Sequence, residues 1–422
     1  MVTPQARQTV SFRTVLQVRE FRWVWLAGLQ SLLGDQLARV ALSVLVFDRT
    51  HSGALTATVY ALTFLPALLG TPLGVLADRL PRRSLLVGGD LIRAVLLAAM
   101  ALPGMPLGAL ICLLVAVVLV GCPWKAAESA LVADMLAGEG YALGTSLRLA
   151  TGQGAQLIGF AVGGVAVAAI GARSALAVNA LTFALSALVL RIALSYRPAV
   201  QGREVAASER DDWRAGFRVV LHDPRLRLMV GYAWLAGAFV APEGLAAPYA
   251  QELGGGAQAV GLLLAAAPTG ALIGALLFVR LVPVGTRMRV TPLLAVGCGL
   301  PLIACAAHPG LTVSLVLWGL SGLGMTYQVQ VMTEFVTAAP VRLRGQAIAF
   351  ASSGLLAAQG VGLILAGLVA KLSSTTIAVA TAGLFGSACA LVLAVSSARR
   401  RGPVEPDTRT VGDVAEAGIG RR

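Results

Sequence analysis

Charged side chains stand inside otherwise apolar stretches, among them Asp35, Arg39, Lys125, Glu128, Arg148 and Glu243. A charge at the centre of a membrane-crossing helix costs about 2.5–3.5 kcal/mol, so each one needs a neutralising partner or a chemical role. Asp35 and Arg39 are one helical turn apart. Either they neutralise one another, or Asp35 is a cavity carboxylate that trades a proton for a cationic or polar substrate. Glu243 lies in Ala241-Pro242-Glu243-Gly244, where proline and glycine loosen a helix and free backbone groups that a cavity or a neighbour must satisfy. Proton or substrate handling there competes with a simple interfacial carboxylate. Arg148 is followed by Gln153 and Gln156, three polar side chains that suggest a water-filled wall. It could be the counter-ion of Asp134 or Glu128, or hold an anionic group. Lys125 and Glu128, three apart after Pro123, are expected to pair with each other. Tyr327, Gln328 and Gln330 offer hydrogen bonds, and Trp318, Phe64 and Phe239 could line a ligand site, with packing the default for aromatics.

A second polar set gathers at one connection, Gly70-Thr-Pro-Leu-Gly74-Val-Leu-Ala-Asp78-Arg79-Leu-Pro-Arg82-Arg83. Gly70 and Gly74 are one turn apart, so that face lacks side chains and a neighbouring helix can come close. A carboxylate and three guanidinium groups then follow, charges too costly to leave in hydrocarbon. The stretch reads as a hairpin that clips two helices together and can be opened.

The elements that must position these groups are membrane spans. Hydrophobic residues make up 57% of the 422 and charged residues 13%, against roughly half and a quarter in a soluble domain. At about 20 residues per span there is room for twelve. They are expected at 21–47, 54–77, 84–102, 107–136, 141–170, 174–194, 228–250, 257–282, 290–307, 311–335, 344–370 and 375–396. With the N-terminus inside, only Arg49, Arg173 and Lys371 fall in external loops, a strong positive-inside bias that places both termini in the cytoplasm. That asymmetry, not a nucleic-acid partner, accounts for the formal charge of +13. Residues 1–20 form a cytoplasmic N-terminus without a cleaved signal peptide, 21–196 and 228–397 two six-helix bundles, and 398–422 a disordered cytoplasmic tail. The linker 197–227 carries Trp213, Phe217, Val220 and Leu221 at helical spacing with Arg214 and Arg218 between them, an amphipathic helix for the inner leaflet.

The halves read as diverged copies. Gly70, Gly74 and Asp78 recur as Gly270, Gly274 and Phe278, and Asp134 at the end of the fourth span faces Glu334 at the end of the tenth. Trp25-Leu-Ala-Gly28 and Trp234-Leu-Ala-Gly237 open the first and seventh.

The hairpin also resembles a signature of the major facilitator superfamily, G-x-L-a-D-R-x-g-R-R, matched at Gly74, Leu76, Ala77, Asp78, Arg79, Arg82 and Arg83; Pro81 departs from it. Phe21, Trp25, Gly28, Ser31, Gly34, Asp35, Arg39-Val-Ala-Leu42 and Thr50-x-Ser52-Gly53 narrow the likeness, as do Asp90, Arg93 and Pro340-Val-Arg342-Leu-Arg344-Gly345. Together they resemble the branch containing bacterial macrolide-efflux proteins and the enterobactin exporter. The resemblance implies an all-α integral membrane fold of twelve transmembrane helices in two six-helix bundles, and proton-driven export. It also implies a cytoplasmic gate, in which Asp78 meets the N-terminal end of the eleventh helix at Arg344, whose free N–H groups attract negative charge. Arg79, Arg82 and Arg83 would then reach Asp134 and lipid phosphates.

The expected activity is secondary transport of an amphipathic small molecule out of the cell, across a bacterial inner membrane, by a monomer with protons and lipids as its other partners. No cofactor or metal is expected: Cys112, Cys122, Cys298, Cys305 and Cys389 show no CxxC spacing. An ATP-driven pump lacks its G-x-x-x-x-G-K-[ST] loop, and no nucleophile–base spacing suggests an enzyme. Two alternatives stay open: a lipid or lysolipid translocator of the same architecture, and a non-transporting membrane sensor or accessory subunit.

Overall fold

The computed structural model describes residues 11–70, 73, 79–195 and 213–400, and among them helices are the only regular structure. Among the described residues nine helices are long and apolar enough to cross a membrane, including Arg19–Thr50 (span 1), Arg82–Ala101 (span 3), Leu107–Met135 (span 4), Glu139–Ile170 (span 5) and Ala172–Ala193 (span 6). In the second half these are Ala257–Leu281 (span 8), Val284–Ala307 (span 9), Arg344–Leu372 (span 11) and Thr375–Ala398 (span 12).

The other three spans are broken. Span 7 bends by 46° between Pro224–Gly244 and Ala246–Glu252, where Pro242 and Pro248 each remove a backbone donor. Span 10 is Leu311–Gly324 followed by Tyr327–Ala338, and span 2 begins as the shorter apolar stretch Gly53–Leu69 before running into residues outside the described set. Helix ends follow local chemistry. Ser52 caps span 2 by accepting from the Leu55 amide at 3.3 Å, and Asp223 caps span 7 from the amides of Arg225 and Leu226, with Pro224 at the first helical position. Gly171, at φ 81°, makes the turn between spans 5 and 6.

Each half packs its own helices. Span 1 lies against spans 5 and 6, and span 3 against spans 4 and 6; in the second half span 8 lies against span 10 and span 9 against span 12. Between the halves, span 5 meets span 8 and span 2 meets span 11. Those contacts are made by small residues. A side chain at Gly164 would strike Gly261 Cα at 2.6 Å, and one at Gly367 would lie 2.9 Å from Ala57 Cβ. In hydrocarbon, where burying apolar surface gives helices no reason to associate, such close backbone approach is what holds them together. Gly164 and Gly367 lie towards the C-terminal ends of spans 5 and 11, and Ala57 and Gly261 towards the N-terminal ends of spans 2 and 8. The halves are therefore joined at one end of the molecule, opposite the end at which span 3 begins.

The linker helix Trp213–His222 packs on span 11. Gly216 sits against the Gln346 backbone, Phe217 meets the Phe350 ring edge-on at 5.5 Å, and Val220 is buried. Phe217 and Leu221 stay exposed on the same helix, so part of its apolar face remains open beside the part that span 11 covers. Residues 197–212 and the tail beyond Arg400 lie outside the described residues.

Candidate functional site

Gly28, Ser31, Leu32, Asp35 and Arg39 recur every three or four residues along span 1, so they share one face. That face lines a cavity of about 390 Å³. Span 3 contributes Arg93, span 4 Trp124, Lys125 and Glu128, and span 5 Thr145, Arg148 and Thr151. Gly28 leaves the space that Glu128 uses, since a side chain there would come 2.9 Å from Glu128 Oε1. Trp25 closes one edge, its Nε1 donating to Thr151 Oγ1 at 3.0 Å. All the lining residues belong to the first half.

Arg148 takes one of the two counter-ions the sequence offers it, and the expected Lys125–Glu128 pair does not form. Glu128 is taken by Arg148 across the span 4–span 5 interface, Oε2 to Nη2 at 2.5 Å, and not by Lys125. Glu128 is buried while Lys125 on the neighbouring face is exposed, and the weakly hydrated guanidinium suits the buried partner better than an ammonium does. Asp35 and Arg39 form no ion pair within 4.0 Å. Arg39 turns towards span 2 and lies over the rings of Tyr60 and Phe64, 5.9 and 5.3 Å from their centroids. Asp35 is left lining the cavity with no ion pair or hydrogen bond among the described residues.

Beyond the cavity wall is a group that the sequence offered only as a family marker. Asp90 is fully buried and binds Arg93 at 2.5 Å, while Ser186 Oγ of span 6 donates to its other oxygen at 2.6 Å. Arg93 in turn is sandwiched between Trp124 and Phe183, 4.8 and 4.4 Å from the ring centroids. Asp35 is near enough for its charge to act on Asp90.

Glu243 lies in the break of span 7 and makes a contact between the halves: Tyr60 Oη of span 2 donates to its Oε2 at 2.8 Å. The Arg39 charge acts on both groups. Arg39, Tyr60 and Glu243 therefore form a polar chain from the cavity to the joined end. Tyr60 escaped sequence reasoning, since nothing local marks a lone tyrosine in an apolar run.

Of the expected gate, Gly74 and Asp78 lie outside the described residues. Arg79 is exposed. Arg82 pairs with Asp134 and also donates to Ala130 O at 3.1 Å, and Arg83 donates to Arg191 O. Glu334 accepts from Gln330 at 3.0 Å, and Arg344 reaches Ala339 O. Each of these contacts stays within one half. Tyr327 and Gln328 donate to the span 7 backbone at Tyr232 and Ala233. Among the aromatics, Trp318 packs on Tyr249 at 5.3 Å, Phe239 is buried, and Phe64 lies under Arg39.

Residues 24–327 match the family model of the Major Facilitator Superfamily. The chain belongs to the Major Facilitator Superfamily. No curated protein matches the sequence, but solved structures share its fold over most of its length. A bacterial homologue of the human lysosomal transporter Spinster, inward-facing and unoccupied, is 15% identical over 89% of this chain and 94% of its own, with a TM-score of 0.63. A POT family transporter in complex with 5-aminolevulinic acid is 11% identical, with 90% and 96% covered and a TM-score of 0.72. The peptide transporter POT in complex with sulfate is 15% identical, with 90% and 94% covered and a TM-score of 0.71. Such likeness carries the major facilitator fold. The protein is a multi-pass membrane transporter of the major facilitator type.

Proposed function

We propose that this transporter exports an amphipathic small molecule in exchange for protons, by alternating access, across a bacterial inner membrane with both termini in the cytoplasm. The observation that carries the reading is Asp35, which lines a cavity of about 390 Å³ without an ion-pair partner while the other cavity carboxylate, Glu128, is held by Arg148. An unpaired carboxylate in a membrane-embedded cavity can be discharged by a proton or by a cationic group, and the two compete for it. Trp25 and Trp124 give the same cavity apolar surface for the rest of the substrate. The likeness of span 1 to the macrolide-efflux and enterobactin-exporter branch supports export as the direction.

The positive-inside pattern places the 71–81 connection in the cytoplasm, which makes the glycine-joined end external and this conformation inward-facing. Opening outwards then requires the Tyr60–Glu243 hydrogen bond to break. Glu243 is accordingly a second coupling residue, and Arg39 and Arg148 set the charge around the two carboxylates. Gly74, Asp78, Arg79, Arg82, Arg83, Asp134, Glu334 and Arg344 would close the cytoplasmic end when the joined end opens.

The test is substrate-induced proton movement in everted vesicles with an acidified lumen, using macrolides, lipophilic cations, tetracyclines and siderophores. Proton release by at least one compound, abolished by Asp35→Asn, is the expected result. Release that survives the substitution would transfer the proton site to Glu243 or Glu334. Silence across the panel from folded, inserted protein would defeat antiport.

A further inference from the structure

Ser31, Arg93 and Trp124 line the cavity, and each carries a buried polar atom, Oγ, Nε and Nε1, without a hydrogen-bond partner among the described residues. Their side chains are at least nine-tenths buried, with relative exposures of 4, 4 and 5%. Arg93 Nε and Trp124 Nε1 can only donate, and Ser31 can donate as well. Buried donors left unmet are costly, and here they belong to three different spans that line one cavity. The charges lean the same way. Arg148 is spent on Glu128, Arg93 on Asp90, and Arg39 is turned towards Tyr60 and Phe64, which leaves Lys125 as the cation without an ion pair in the lining that Asp35 shares.

We infer that the cavity receives an acidic, hydrogen-bond-accepting group, and that the transported molecule is therefore a compact zwitterion with an apolar body. The inference rests on the transport reading of this same cavity. A substrate carboxylate meets the N–H groups of Trp124 and Arg93 and the charge of Lys125, while its ammonium group meets Asp35. A lipophilic monocation satisfies Asp35 alone, leaves the donors unmet and meets the like charge of Lys125.

Matched probes separate these cases. Norfloxacin carries an amine and a carboxylate; its methyl ester keeps only the amine charge and its N-acetyl derivative only the carboxylate. Phenylalanylleucine, its methyl ester and its N-acetyl form make a second trio on a different scaffold. Tetraphenylphosphonium serves as a cation without acceptors. Binding to the purified full chain and flux in proteoliposomes are measured for each. The zwitterion of at least one trio is expected to bind about tenfold more tightly than either capped form, because each cap removes one charge-assisted hydrogen bond.

Trp124→Phe keeps a ring against Arg93 but removes the donor, and Lys125→Gln changes an exposed position. Each should narrow the zwitterion-to-ester ratio and spare the ester, while Asp35→Asn should narrow the zwitterion-to-acetyl ratio. An ester or tetraphenylphosphonium binding as tightly as the zwitterions would overturn the inference and leave transport standing. So would tetraphenylphosphonium flux with neither trio bound. No binding and no flux for any probe would remove both.

Discussion

In the first half Trp25 Nε1 reaches from span 1 to Thr151 Oγ1 of span 5 at 3.0 Å; in the second half Trp234 Nε1 reaches from span 7 to Ala351 O of span 11 at 3.1 Å. Ser186 of span 6 donates onto span 3, and Ser387 of span 12 donates onto span 9. The acceptors differ. Ser186 finds the carboxylate of Asp90, and Ser387 the backbone carbonyl of Val296. Where span 3 sets Arg93 over Trp124 of span 4, span 9 sets Cys298 against Gly324 of span 10. Glu128 likewise has Gln328 at the matching place in the second half, bonded to the backbone of Ala233. One scaffold thus occurs twice, with ionic groups in one copy and small or neutral groups in the other. The neutral copy packs more closely: side chains at Gly270, Gly299 and Gly322 would run into the backbones of Gly319, Gly383 and Ala267. Charge needs room and partners, and the first half supplies both.

The largest difference should appear on removing Arg93. Arg93→Leu strands the Asp90 carboxylate at zero exposure, and breaking a buried pair from one side costs about 3–5 kcal/mol. Cys298→Ala, at the corresponding place in the second half, removes one sulfur and should cost no more than about 1–2 kcal/mol. Denaturant unfolding in detergent compares the two. Adding Asp90→Asn to Arg93→Leu should recover much of the stability, because the uncompensated charge is gone. Equal destabilisation of the two halves would mean that the ionic group of the first half is ordinary packing.

A smaller effect separates the ion pair of the cavity from its neutral counterpart. A double-mutant cycle of Glu128→Gln with Arg148→Gln should show a coupling within the range of about 0.5–3 kcal/mol found for contacting residues. The same cycle of Glu128→Gln with Lys125→Gln should give a value near zero, since those two are not paired within 4.0 Å. Gln328→Leu should cost about 0.5–1.5 kcal/mol, the net worth of an ordinary hydrogen bond. A strong Lys125 coupling would restore the pairing that the sequence spacing suggests.

These pairings mark where the sequence stops being informative. Long apolar runs, a basic bias in alternate connections and the recurring Gly70/Gly270 and Trp25/Trp234 positions foretell the helices and their division into two halves. Asp35, Glu128 and Arg148 stand out because a charge in an apolar run is expensive. Their partners do not stand out. Whether Glu128 meets Lys125 or Arg148 depends on how spans 4 and 5 face one another, and local spacing favours the wrong partner. Asp90 and Arg93 enter the sequence reading only as part of a family likeness. Ser186, Trp124 and Phe183, which complete their setting, come from two other spans. Tyr60 and Glu243 are 183 positions apart and meet only because the halves join at one end. The breaks in spans 7 and 10 are similarly uneven: Pro242 and Pro248 announce the first, whereas Met325 and Thr326 give no such warning of the second.

The smallest effect tests the part of the comparison in which the halves agree. Trp25→Phe and Trp234→Phe each remove one indole donor and keep an aromatic ring. Both should cost about 0.5–1.5 kcal/mol of stability, and the two costs should agree within about 0.5 kcal/mol. Thr151→Val should add nothing to Trp25→Phe, because the bond it removes is already gone; the Ala351 acceptor is backbone and has no such partner mutation. The halves should part only in function. Trp25 lines the cavity, so Trp25→Phe should change ligand affinity, whereas Trp234 packs on Phe350 at 5.7 Å, away from it, and Trp234→Phe should not. Equal destabilisation with unequal binding would show that a repeated hydrogen bond carries structure in both copies and recognition in one. Ligand affinity falling equally in both variants would place the substrate between the halves.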